Sequence, residues 1–197
     1  LATLFELLGI VLTSFFLNII PFAGPSNLFI ASTFALRIDA DPWTIGFLVA
    51  FGSASAKFIH YLATFFVGNF IGEERKKRLH ATLLKLGRWS FLALFIVAAS
   101  PLPDEPIVVP LGLMKYNPAK FYASYFAGKF CIGVIGAYFA RFIESIVSPW
   151  ISNDLLTIVS IVLTIVLTVV LFKVDIVEVA RRILNRIRPA PTAQPEL

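Results

Sequence analysis

Cysteine is almost missing from this chain: Cys131 stands alone, so no disulfide framework holds the protein together. Apolar and small residues surround it, and a buried, inert thiol is expected there. The two histidines, His60 and His80, occupy unrelated positions, so no metal-ligand set can be assembled and neither a metal nor a cofactor is expected. Gly-rich phosphate loops, GxSxG and HExxH are also lacking. An intramembrane enzyme using Asp104, Glu105 and His60 is disfavoured, because no third positioned group accompanies them, and the chain is read as a non-enzyme. No motif for binding DNA or RNA occurs. Methionine is as scarce as cysteine: the chain starts at Leu1 and its one methionine is Met114, so a trimmed start is expected. Residues 1–20 lack the basic leading segment of a signal peptide.

Charge is sparse too. Only 15% of the 197 residues are charged while 58% are hydrophobic, and the mean hydropathy is +0.84. That is too apolar for a soluble core of this size and points to an integral, multi-pass membrane protein. The formal charge of +5 comes mostly from two short basic clusters, which suit anionic lipid headgroups better than nucleic acid.

The most informative stretch runs from Ser100 to Leu113. Four prolines (Pro101, Pro103, Pro106, Pro110) and the adjacent carboxylates Asp104 and Glu105 follow the apolar run Phe91 to Ala99, so one continuous helix cannot pass through. Irregular backbone at bilayer depth must be covered by protein or line a cavity, and carboxylates there are candidates for function. Near the start, Leu1 to Ile20 meets a similar interruption at Pro21 and Pro25, followed by an apolar piece, Leu28 to Leu36, too short to cross alone. Both places read as re-entrant hairpins.

Asp41-Pro42 and Asn117-Pro118 each supply an N-cap and a first-turn proline for a long apolar helix. The chain therefore divides into a first unit at 1–72 (re-entrant hairpin 1–37, helix 42–71) and a basic interfacial segment at 73–89. A second unit follows at 90–146 (hairpin 90–116, helix 118–146), then a C-terminal transmembrane helix at 154–173 and a basic tail at 174–197. The fold class expected is all-α. Pro25 and Pro101, Asp41 and Asn117, Pro42 and Pro118, and Gly52 and Gly128 are all 76 positions apart, which marks two copies of one unit. With the basic loop 73–89 and the tail cytoplasmic, helix 42–71 runs inward and helix 118–146 outward. Each hairpin then returns to its own side, the first from outside and the second from inside, as an inverted repeat.

Four ionised residues fall inside this arrangement. Lys57 is 15 residues from both Pro42 and Gly72, about 22 Å from either end, too deep to snorkel out. Lys129 lies 11 residues beyond Pro118. Isolated in lipid, each of Lys57, Lys129, Asp104 and Glu105 would cost roughly 2.5–3.5 kcal/mol, so pairing around a wet cavity between the hairpin tips is expected. Two roles fit: structural ion pairs, or an anion site in which the lysines bind phosphate and Glu105 or Asp104 takes a proton. His60 and Tyr61 are weaker members of the same candidate substrate-binding set.

The segment Pro101-Leu102-Pro103-Asp104-Glu105-Pro106, followed by Pro110-Leu111-Gly112, resembles the Pro-x-Pro-small-Glu re-entrant motif of the DedA family, also called the VTT or SNARE-associated Golgi protein domain. Gly52 to Tyr61 resembles that family's Gly-rich helix ending in tyrosine, with Gly68 and Gly72 where further glycines would stand. The likeness covers roughly residues 15–146. It departs at Pro25-Ser26-Asn27, where the family has an acidic residue, at Lys57, where it has an aspartate, and in lacking the family's arginines after the second hairpin.

The resemblance implies a protein that moves lipids across bilayers, scrambling phospholipids or flipping polyprenyl phosphates. The leading expectation is a lipid translocator with a polar groove between the hairpins. Its partners would be anionic phospholipid or polyprenyl-phosphate lipids, with Pro25, Pro101 and Pro103 holding the broken backbone and protons as the one coupling species considered. Homo-oligomers stay open. The alternatives are a proton-coupled carrier of a small soluble solute and a non-transporting membrane assembly factor.

Overall fold

The computed structural model describes residues 2–21, 24–70, 72, 89–101 and 104–147, together with Leu155, Ile158 and Val162. Contacts divide the chain into two units, Leu1–Ser160 and Ile161–Leu197. The first is described below; of the second, only Val162, a helical and exposed position, is described. The basic segment 73–88, Pro103, most of the expected helix 154–173 and the tail 174–197 lie outside the described residues.

Among the described residues the regular structure is entirely helical: α1 (Leu4–Ile19), α2 (Asn27–Arg37), α3 (Pro42–Val67), α4 (Trp89–Ala98), α5 (Glu105–Leu113) and α6 (Pro118–Val147). Side chains set the starts. Thr3 and Glu6 form a reciprocal capping box on α1. Ser26 caps α2. Asp41 Oδ2 accepts from the Trp43 and Thr44 backbone N–H groups at 2.9 and 3.4 Å, and Asn117 Oδ1 accepts from Lys120 N–H at 3.0 Å. Asp41→Ala should therefore cost about 1 kcal/mol, read as a fall of roughly 3 °C in the unfolding midpoint; an unchanged midpoint would mean that the cap contributes nothing.

The prolines act differently from expectation. Pro106 lies in the first turn of α5, which begins at Glu105, and Pro110 lies inside the same helix. A first-turn proline lacks an N–H that would have no helical acceptor anyway, so Pro106 starts the helix rather than breaking it. The interruption is confined to the stretch after α4, where Pro101 is exposed. Pro21 is likewise in an exposed turn and Pro25 half-buried just ahead of the Ser26 cap. Cys131 is exposed, contrary to expectation. The buried positions of α6 around it, Gly128, Lys129, Ile132 and Gly133, face the core, which leaves residue 131 on the outer face.

Helices α3 and α6 cross antiparallel at the centre. The order is explicit in the contacts: Arg141 reaches the Ala40 carbonyl at 2.5 Å, a Cβ placed on Gly133 would lie 3.2 Å from Gly46 Cα, the Tyr61 and Phe121 rings stack at 4.2 Å, and Lys115 Nζ donates to Asn69 Oδ1 at 2.5 Å. The pair Gly46 and Gly133 lets the two backbones touch, because any Cβ at Gly46 would sit 2.8 Å from Val134 N. Helix α1 lies on α3, with Ser14 Oγ donating to the Val49 carbonyl at 2.7 Å. Helix α4 lies on α6, with Ser124 Oγ donating to the Phe91 carbonyl at 2.6 Å.

The two shorter partners cross over. Helix α2 packs on α6 and α5 packs on α3, the former through Ser32 Oγ donating to the Gly136 carbonyl at 2.9 Å. Helices α1 and α2 form a hairpin whose ends meet, Ala2 N–H donating to the Asp39 carbonyl at 3.2 Å. One buried core gathers Ile10, Ile30, Ile45 and Val49, a second Tyr61, Leu94, Val108, Phe121 and Tyr125. Among the described residues two helices, Pro42–Val67 and Pro118–Ile146, are long and apolar enough to cross a membrane. At 16 and 10 residues, α1 and α4 are apolar but shorter.

Candidate functional site

Helix α5 starts with two carboxylates, and neither faces solvent. Asp104 stands at the N-cap but makes no side-chain capping bond, so its carboxylate is free to turn inward. There Oδ1 lies 3.3 Å from Lys57 Nζ and Oδ2 lies 2.8 Å from Lys129 Nζ. The Tyr125 hydroxyl donates to Oδ2 as well. Glu105, one residue on, accepts from Lys57 through Oε1. Lys129 also lies over the Tyr125 ring, 5.2 Å from its centroid, a cation–π contact between residues one helical turn apart.

Three helices therefore supply one network: Lys57 from α3, Asp104 and Glu105 at the α5 N-terminus, and Tyr125 and Lys129 from α6. Two positive and two negative groups sum to zero, and the positive end of α5 lies beside its two carboxylates. All four are closed off from solvent, with relative exposures of 3% for Lys57 and Asp104 and 5% for Glu105 and Lys129. A wet cavity was expected around these charges; what stands there is a packed ion-pair network. Removing charges from water is costly, and only close pairing with further hydrogen bonds offsets it. Asp104 meets that requirement by serving both lysines and one hydroxyl.

His60 and Tyr61 are not brought to the network. The His60 Nε2 lies 2.8 Å from the Ile19 carbonyl at the end of α1. Tyr61 donates to the Tyr116 carbonyl while its buried ring stacks against those of Phe58 and Phe121.

Tyr125 belongs to the site, yet nothing but its position four residues before Lys129 pointed to it. A second, neutral pair escaped notice too: Asn27 Nδ2 donates to Ser53 Oγ at 2.6 Å, both residues buried, and Asn27 Oδ1 has no partner. The spacing of 76 would have found it, because it places Ser53 on Lys129 and Leu28, next to Asn27, on Asp104. The start of α2 thus meets α3 through a neutral amide–hydroxyl pair, whereas the start of α5 meets α6 through a carboxylate and an ammonium.

In sequence the chain matches no family model and has no significant similarity to a curated protein; in fold it has none to a solved structure.

Proposed function

We propose that this is a multi-pass membrane protein that translocates lipids with phosphate headgroups, using the Lys57, Asp104, Glu105 and Lys129 network as a gate. The membrane reading is supported by the outer surface. On α1, Leu4, Phe5, Leu8, Leu12 and Phe16 are exposed, and on α6 so are Ile135, Phe139, Phe142 and Ile146. Each set recurs at helical spacing, and apolar stripes of this extent favour lipid over water. Hairpin α1–α2 leaves where it entered, as a re-entrant element does, and α4–α5 is its counterpart.

Repetition of the unit is supported by the helix pairings. A shift of 76 carries Ser14 and Val49 to Ser90 and Tyr125, each one residue from the observed Phe91 and Ser124 pair. The crossed packing of α2 on α6 and α5 on α3 is also reciprocal, as an inverted repeat requires. In the orientation set by the basic segments, loop 73–89 and the tail are cytoplasmic. The resemblance to the DedA family supports the same architecture and cargo class.

The observation that carries the function is the buried network at the tip of α5. Ionised groups at membrane depth mark substrate or proton paths. Here the lysines are held by carboxylates, so the state is closed. A proton on Glu105 removes one of the two carboxylates on the Lys57 ammonium, and a lipid phosphate then takes that place while Asp104 still bridges Lys57 and Lys129, keeping the site near neutrality. In proteoliposomes with fluorescent phospholipid or polyprenyl phosphate, the wild type should flip lipid, Lys57→Met should slow it at least about tenfold, and Glu105→Gln, the neutral mimic of the protonated carboxyl, should speed it. Unchanged flipping in both variants rejects the gate.

The closed packing also favours one second reading, a non-transporting assembly factor in which the network is structural. That reading predicts no lipid flipping by the wild type. Uptake of a water-soluble solute without lipid flipping would point instead to a soluble-solute carrier.

A further inference from the structure

Along α6, 12 residues beyond Lys129 and so about 18 Å away, a separate cleft of about 510 Å³ opens between the end of α2 and the last turns of α6. Its charged lining is Arg37, Asp39, Arg141 and Glu144, and Ser145, Leu36 and Ile38 also line it. Two positive and two negative groups again sum to zero, but here Arg37 and Asp39 are exposed. The Arg141 guanidinium is fixed by its bonds to the Ala40 and Ile38 carbonyls at 2.5 and 3.5 Å. Asp39 and Glu144 already make interactions within the protein.

We infer that this cleft binds the headgroup of a zwitterionic phospholipid: phosphate on Arg37 and Arg141, quaternary or primary ammonium on Asp39 and Glu144, and the glycerol over Leu36 and Ile38. Charge complementarity selects the ligand. A simple anion drawn to the arginines is repelled by the carboxylates, and a simple cation meets the reverse, whereas a dipolar group satisfies both. Arginine suits phosphate because its planar fork donates two parallel bonds. Interactions of charged groups at an exposed rim are weak, so a ligand carrying both charges displaces them at little cost. Position agrees as well. The cleft adjoins Asp41, which starts α3, and the last turns of α6, so it lies at one end of both long apolar helices, where headgroups would be. The exposed Phe142 and Ile146 flank it on α6 and offer a path for the tails.

This inference rests on the membrane reading above but not on translocation. The full chain, extracted from bilayers of equal phosphatidylcholine and phosphatidylglycerol, is washed in detergent and its retained lipid quantified by mass spectrometry. Phosphatidylcholine should be enriched about tenfold, the equivalent of one good charge-assisted contact. Arg37→Gln, at an exposed position, should lower retention of both lipids. Asp39→Asn with Glu144→Gln leaves the lining with two positive charges and should reverse the preference toward phosphatidylglycerol. Excess glycerophosphocholine, the same headgroup without tails, should not displace the lipid.

Equal retention of the two lipids by wild type overturns the inference, as does an unchanged preference in the double variant or displacement by glycerophosphocholine. Selective retention in a protein that does not flip lipid would remove the translocator and keep this site. Flipping without selective retention would do the opposite.

Discussion

Asp104→Asn should lower the unfolding midpoint by roughly 10 °C, the largest loss of any single charge substitution among the described residues. One carboxylate holds Lys57 at 3.3 Å and Lys129 at 2.8 Å and accepts from Tyr125. Neutralising it takes the carboxylate from Lys129, an almost fully buried ammonium, and one of the two carboxylates that hold Lys57. Breaking a buried pair from one side costs about 3–5 kcal/mol, against a total stability on the order of 5–15 kcal/mol. Glu105→Gln should cost less, since the amide still offers Lys57 an oxygen and Asp104 remains in reach. Adding Lys129→Met to Asp104→Asn should recover part of the loss, because partners removed together leave less charge uncompensated. Tryptophan fluorescence during heating in detergent reads all four proteins. A midpoint for Asp104→Asn within about 2 °C of wild type would mean that the network is solvated, and the gate would go with it.

That network was partly legible before any coordinates. Lys57, Lys129, Asp104 and Glu105 announce themselves because ionised residues within apolar segments must find one another. Their pairing was not legible: which lysine meets which carboxylate depends on where α3 crosses α6, and that crossing is set by Gly46 and Gly133 meeting face to face. Tyr125 stayed silent because an aromatic residue in an apolar helix gives no sign of whether its hydroxyl faces a partner. Helix starts at Pro42 and Pro118 were readable from cap residues, whose chemistry is local. Proline was over-read at Pro106, where the first turn of a helix tolerates it. His60, three residues beyond Lys57, faces the end of α1 instead, a choice made by tertiary packing that spacing alone cannot express.

The close helix pairings supply the other large effect. A Cβ at Gly128 would stand 2.6 Å from the Phe95 carbonyl oxygen, 2.7 Å from Ala98 Cβ and 2.9 Å from Ala99 N. None of these can swing aside, so α4 as a whole must move off α6. Gly52 faces α1 in the same way, against the Val11 carbonyl and 3.0 Å from Phe15 N. Gly52→Ala and Gly128→Ala should each cost about 3 kcal/mol through overpacking against backbone.

Gly9 is the control, because nothing lies within 4 Å of a Cβ there; Gly9→Ala should gain up to about 1 kcal/mol from helix propensity. The two losses should not be equivalent in function. Gly128 adjoins Lys129, so moving α4 away disturbs the ammonium that holds Asp104, and flipping should fall further in Gly128→Ala than in Gly52→Ala at equal loss of stability. If both substitutions instead unfold no earlier than Gly9→Ala, neither α1 nor α4 is seated on its long helix as closely as the backbone contacts require.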